Sequence, residues 1–196
     1  MNTLELPAGY GLIKQIDLQK DKKLALLVNG ASLVVALLMI AIGWLALPRE
    51  SLRISSLATL WLRLGCLLVG ILLYMCLHEL VHGIGIWYYS KQRPRFGFTG
   101  LYAFAGNDRA YFDKRSYLVI ALSPIVVWGV VLLILNLLVP PSWVWVVYLI
   151  QVINISGAAG DVYVTGVLCR LPADILVNDK GVSMSVYGRV QEESEC

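Results

Sequence analysis

The chain has 196 residues, 58% of them hydrophobic and 15% charged, with a formal net charge of +3. Soluble domains run at about 45–50% apolar and about 25% charged, so the composition argues against a water-soluble globule and for an integral membrane protein. The small net charge gives no footprint for nucleic acid, and four cysteines without a C-x-x-C pair give neither a disulfide framework nor a cysteine zinc site.

In chain order, residues 1–23 read as a short cytoplasmic lead-in with an interfacial helix around Leu12 to Leu18. A first span covers about 24–47 and a second about 64–87, each long and apolar enough to cross a bilayer. The loop 88–116 places Phe96, Phe98, Tyr102 and Phe104 on even positions, a period of two, with Gly106-Asn107-Asp108 as a turn. This pattern predicts a short β-hairpin. Its aromatic residues have two readings, a substrate-binding edge or a belt that seats the loop among lipid headgroups. A third span over about 117–139 contains Pro124, which can kink it and open a lateral path. After a Pro140-Pro141-Ser142 turn, a fourth span covers about 143–168, and the tail 169–196 carries a small extramembrane hairpin around Asn178-Asp179-Lys180-Gly181, read as a passive terminus. The expected fold is therefore all-α: four transmembrane helices forming one catalytic domain over 24–168, with a short β-hairpin in its 88–116 loop and a small extramembrane hairpin in the cytoplasmic tail 169–196.

Lysine and arginine are unevenly placed. Four precede the first span, six lie between 88 and 116 and three in the tail, against only Arg49, Arg53 and Arg63 on the other side. By the positive-inside rule both termini and the 88–116 loop are cytoplasmic.

Apart from tyrosine and cysteine, the ionisable side chains left inside the spans are His78, Glu79, His82 and Asp161. Such groups are costly in a bilayer and mark function. The first three spell H-E-x-x-H. Histidines four apart share a helix face and can grip one metal ion, while the adjacent Glu79 reaches a metal-bound water as general base. A catalytic zinc takes three protein ligands, and Asp161 is the first candidate for the third; the alternative is a helix-end acid. At about 1.5 Å per residue, His78, His82 and Asp161 all lie roughly 21–27 Å from the outer surface. Small residues from Ser156 to Gly160 allow close helix approach, and Asn154 either orients a ligand or substrate or makes an ordinary interhelical hydrogen bond.

The H-E-x-x-H at His78, Glu79 and His82, with a distal Asp161, resembles the intramembrane zinc metalloproteases of the site-2-protease type. Their second motif, N-x-x-P-x-x-x-x-D-G, matches in part: Asn154 is followed by Gly157 in place of proline, Asp161 comes one residue early, and Val162 replaces the last glycine. Over most of its length the chain also resembles DUF3267, a family of small bacterial membrane proteins described as zincin peptidases. That resemblance rests on Leu6-Pro7-Ala8-Gly9-Tyr10, HELVHG from 78 to 83, Leu122-Ser123-Pro124 and Gly160-Asp161. It implies one zinc ion and a bacterial cell membrane but no particular substrate; a membrane protein or peptide as substrate belongs to the endopeptidase reading. The leading expectation is an intramembrane zinc endopeptidase. A non-catalytic membrane adaptor with a structural metal site is the alternative, while a metal transporter would want ligands along a whole pore.

Overall fold

The structure is a computed structural model that describes residues 2–100 and 103–190. Four helical stretches are long and apolar enough to cross a membrane: Lys22–Ala46, Leu57–Ser90, Lys114–Leu138 and Pro141–Cys169. The first three are single helices, α1 (Lys22–Ala46), α2 (Leu57–Ser90) and α3 (Lys114–Leu138). Each begins on a capping side chain. Asp21, Ser56 and Asp113 accept hydrogen bonds from the backbone N–H of Leu24, Thr59 and Ser116 at 3.0, 3.1 and 2.9 Å. Burial works against ionisation of Asp113, but the hydrogen bonds it accepts, that from the Ser116 N–H foremost, and nearby positive charge together outweigh it and hold the carboxyl below its usual range. Because α2 starts at Leu57 rather than at 64, Arg63 lies inside it.

The fourth stretch is not one helix. It is α4 (Val144–Gly157) and α5 (Ala159–Cys169), separated at Ala158, whose ψ of 11° leaves the helical range. Gly157 and Gly160 flank this break, and glycine is a weak helix former. The break makes Asp161 a first-turn residue of α5, where a carboxylate interacts well with the helix dipole.

Among the described residues six strands accompany the helices: β1 (Tyr10–Asp17), β2 (Arg95–Phe98), β3 (Ala103–Gly106), β4 (Phe112–Asp113), β5 (Leu176–Asp179) and β6 (Ser183–Arg189). Strands β2 and β3 form the expected hairpin. The tail also forms its hairpin, but as the centre of a four-stranded sheet of order β1-β6-β5-β4, not as a passive terminus. The helix expected around Leu12 to Leu18 is instead β1, paired antiparallel with β6 from Tyr10 opposite Arg189 to Asp17 opposite Ser183. A bulge at Ile13 breaks the alternation and leaves apolar residues at 12, 13 and 16, a spacing that imitates a helix.

By its contacts the chain divides into two units. One is Met1–Ala25, Glu79–Ser123 and Asp161–Cys196, with a core of Phe112, Val177, Val186, Ile175, Leu168, Ile86 and Ile120, all at most 2% exposed. The other is Leu26–His78 and Pro124–Gly160, where Tyr74, Leu132 and Ile150 are buried and Gly70 lets Ile150 pack on the α2 backbone.

Candidate metal centre

Helix α2 runs unbroken through His78, Glu79 and His82, all half-buried. The two imidazoles, one turn apart, offer ligand nitrogens within 4.8 Å of each other. Two glycines follow. A side chain at Gly83 would collide with the Phe96 ring of β2, and one at Gly85 would press on Ile120 of α3 at 3.1 Å, so both allow a close approach to α2 beside His82.

His82 is held from two sides. Its Nδ1 lies 3.0 Å from the carbonyl oxygen of Ile120, which accepts only if Nδ1 carries the proton. That tautomer leaves the lone pair on Nε2, and Nε2 faces Asp161 Oδ1 at 3.6 Å. This is the separation of an ion pair. It is close to the roughly 3.4 Å that separates two ligand atoms bound at about 2.0–2.1 Å to a tetrahedral zinc.

His78 is oriented through a chain of side chains. Asn154, fully buried, donates through Nδ2 to the carbonyl of Ile125 at 3.3 Å, which turns its Oδ1 towards Tyr74. The Tyr74 hydroxyl donates to that Oδ1 at 3.0 Å and therefore accepts at 2.8 Å from Nδ1–H of His78. His78, too, presents Nε2. A donor set of two imidazole Nε2 atoms and a carboxylate oxygen, each imidazole fixed through Nδ1, fits zinc.

Asn154 thus acts on His78 through Tyr74. The sequence reading missed Tyr74, although its place four residues before His78 on the same helix face was a usable signal. Phe98 and Phe104 part company. Antiparallel pairing sets Phe96 and Phe98 opposite Ala105 and Ala103 on one face of the hairpin, but Phe104 opposite Gly97 on the other. Even positions do not share a face across a turn. Phe98 is 67% exposed, whereas Phe104 packs on Gly97 and against Gly181. Tyr102 lies outside the described residues. A further, partly buried acid escaped the sequence reading: Asp179 accepts from the Tyr117 hydroxyl at 2.5 Å and from the Gly181 N–H at 2.7 Å. Burial pushes its carboxyl up, with those two hydrogen bonds opposing.

A family model for DUF3267, described as "Putative zincin peptidase", matches residues 71–176, more than half of the chain. The chain belongs to this family. Its description implies zinc and, at a coarse level, a metallopeptidase. The matched span holds Tyr74, both histidines, Glu79, Asn154 and Asp161, and ends before Asp179. No curated protein and no solved structure matches the chain.

Proposed function

We propose that the chain is a membrane-embedded zinc endopeptidase, akin to the site-2-protease type, that hydrolyses peptide bonds in membrane-embedded or juxtamembrane segments. The observation that carries this reading is Asp161 Oδ1 facing His82 Nε2 at 3.6 Å, which gives the H-E-x-x-H helix a carboxylate donor from α5. His78 and His82, through Nε2, and Asp161, through its carboxylate, hold one zinc ion. Zinc supplies a Lewis acid that brings the pKa of a bound water to about 7 and polarises the scissile carbonyl. The carboxylate of Glu79 takes a proton from the attacking water and returns it to the leaving amine nitrogen, as a general base and then acid.

Lipid exposure is supported by the helices themselves: Leu33, Leu37, Leu72 and Leu133 each leave more than half of their surface open. The lysine and arginine distribution favours cytoplasmic termini in a bacterial cell membrane. A peptide bond in a substrate helix is shielded until the helix unwinds, and the extended segment then needs a partner. Among the described residues strand β2 pairs with β3 alone, and Phe96 packs on Gly83, the residue after His82. The outer edge of β2, with Phe98 exposed on it, suits addition of a substrate strand through backbone hydrogen bonds. Phe104, packed against the tail, supports the hairpin.

The test compares purified wild type with Glu79→Gln, His78→Ala and Asp161→Ala. Wild type and Glu79→Gln are expected to hold one zinc per chain, His78→Ala and Asp161→Ala to lose it, and peptide hydrolysis to fall about 10²–10⁴-fold in Glu79→Gln. Wild type that folds without zinc sinks the reading. Full zinc in Asp161→Ala reassigns the third ligand, and full activity in Glu79→Gln removes the base.

A further inference from the structure

Proline is the residue least suited to a helix interior, since it has no N–H to donate to the carbonyl four residues earlier. Pro124 sits inside α3 and is almost wholly buried. The carbonyl it cannot serve is that of Ile120. In membrane helices such freed carbonyls are satisfied by neighbouring helices or by serine and threonine side chains. Both donors are present. The Ser123 hydroxyl donates to the Ile120 oxygen at 3.0 Å, and so does His82 Nδ1–H, also at 3.0 Å.

The approach that makes this contact is built in: Gly85, three residues after His82, has no side chain to hold Ile120 away from α2. A carbonyl engaged in the helical ladder keeps one lone pair for a second donor, as that of Ile125 does for Asn154, but Ile120 already accepts from Ser123, so a ladder N–H would make three donors compete for two lone pairs. A carbonyl relieved of its ladder partner presents an acceptor at a fixed place.

We infer that Pro124 is a positioning residue for His82: by withholding an N–H from the Ile120 carbonyl, it keeps that oxygen open for Nδ1–H and so points Nε2 of His82 at the metal. The hydrogen bond itself needs no ion, and only its purpose rests on the zinc reading. The donors that meet on the Ile120 carbonyl and the chain Asn154–Tyr74–His78 share no residue, and that chain ends on the Ile125 carbonyl, whose ladder partner Gly129 keeps its N–H, so a substitution at Pro124 changes the donors at the His82 end alone.

The chain has two histidines, which makes ¹⁵N-histidine labelling decisive. In metal-free wild type, at a pH where both rings are neutral, both are expected as the Nδ1–H tautomer. Pro124→Ala and Pro124→Val each restore the N–H, and Val also keeps the volume of the ring. Both variants are expected to shift His82 towards a tautomer mixture, leave His78 unchanged and weaken zinc about tenfold in a chelator competition. Ser123→Ala, which removes the competing hydroxyl, is expected to bind zinc as tightly as wild type or more so. Unchanged zinc affinity and an unchanged His82 signal in both Pro124 variants overturn the inference alone. Equal shifts at both histidines, or an equal loss of zinc in Ser123→Ala, overturn it in favour of a packing effect. Wild type without zinc overturns the zinc reading first, and this one with it.

Discussion

In the unit formed by Leu26–His78 and Pro124–Gly160, large side chains point outward. Leu33, Leu37 and Leu72 are each more than half exposed, and the buried apolar cluster is small. In the unit that contains the sheet, Phe112, Val177 and Val186 have no exposure, and polar groups are paired inside: Asn107 accepts from the N–H groups of Arg109 and Ala110, and Asn178 donates to the carbonyls of Asp108 and Ala110. The first is organised for an apolar solvent and the second for water. The contrast extends to the two histidines. His78 is oriented by side chains, Tyr74 and Asn154, the latter anchored on the Ile125 carbonyl. His82 is oriented by a backbone carbonyl, at the one turn of α3 where proline breaks the ladder.

The largest effect that separates the units is expected at Asn178. Its side chain is 2% exposed and donates at 2.9 Å to Ala110 and 3.1 Å to Asp108. Asn178→Ala leaves these carbonyls buried and unserved, at about 1–3 kcal/mol each. Amide exchange in β5 and β6 should accelerate accordingly, while the amides of α1 keep their protection. Acceleration throughout α1 as well would mean that the chain unfolds as one body, and the contrast between units would not hold.

A smaller effect is expected at the His78 end. Tyr74→Phe removes the hydroxyl that receives Nδ1–H of His78 and donates to Asn154, with the ring retained. Zinc affinity should fall about tenfold, the usual scale for an outer partner of a ligand. The histidine signal that changes should be that of His78, the mirror image of the Pro124 variants. Loss of the His82 tautomer in Tyr74→Phe would show that the two ligands are not held independently.

How much of this was readable in the residues depends on the range of the interaction. The four apolar stretches and H-E-x-x-H are local patterns, with helical spacing and hydrophobic length written into consecutive residues, and they appear where expected. Asp161 was singled out by elimination, because a charge in an apolar stretch stands out, and it does lie with His78 and His82 in a group that could hold a metal ion. What escaped were features set by distant partners. Strand β1 needs β6, far along the chain, and its bulge at Ile13 disguised the alternation. The break at Ala158 lies in an apolar stretch whose hydropathy carries no mark of it. Phe104 was placed on the wrong face because a period of two was carried through a turn. Pro124 was noticed as a kink; that the Ile120 carbonyl it leaves without a ladder partner meets His82 depends on the closeness of α2, which only Gly85 hints at.

The smallest expected effect tests the exposed helix faces directly. Leu37 of α1 is 57% exposed, and lipid tails are as apolar as leucine, so Leu37→Ala exchanges one apolar contact for another. Its cost to unfolding in bicelles should stay within about 0.5 kcal/mol, as for an ordinary surface change. Ile175, 1% exposed in the sheet-bearing unit, is the paired control: Ile175→Ala opens a cavity and should cost roughly 2–5 kcal/mol. A penalty at Leu37 as large as at Ile175 would mean that this face of α1 is packed against protein, and the outward leucines would then mark an assembly surface instead of a lipid one.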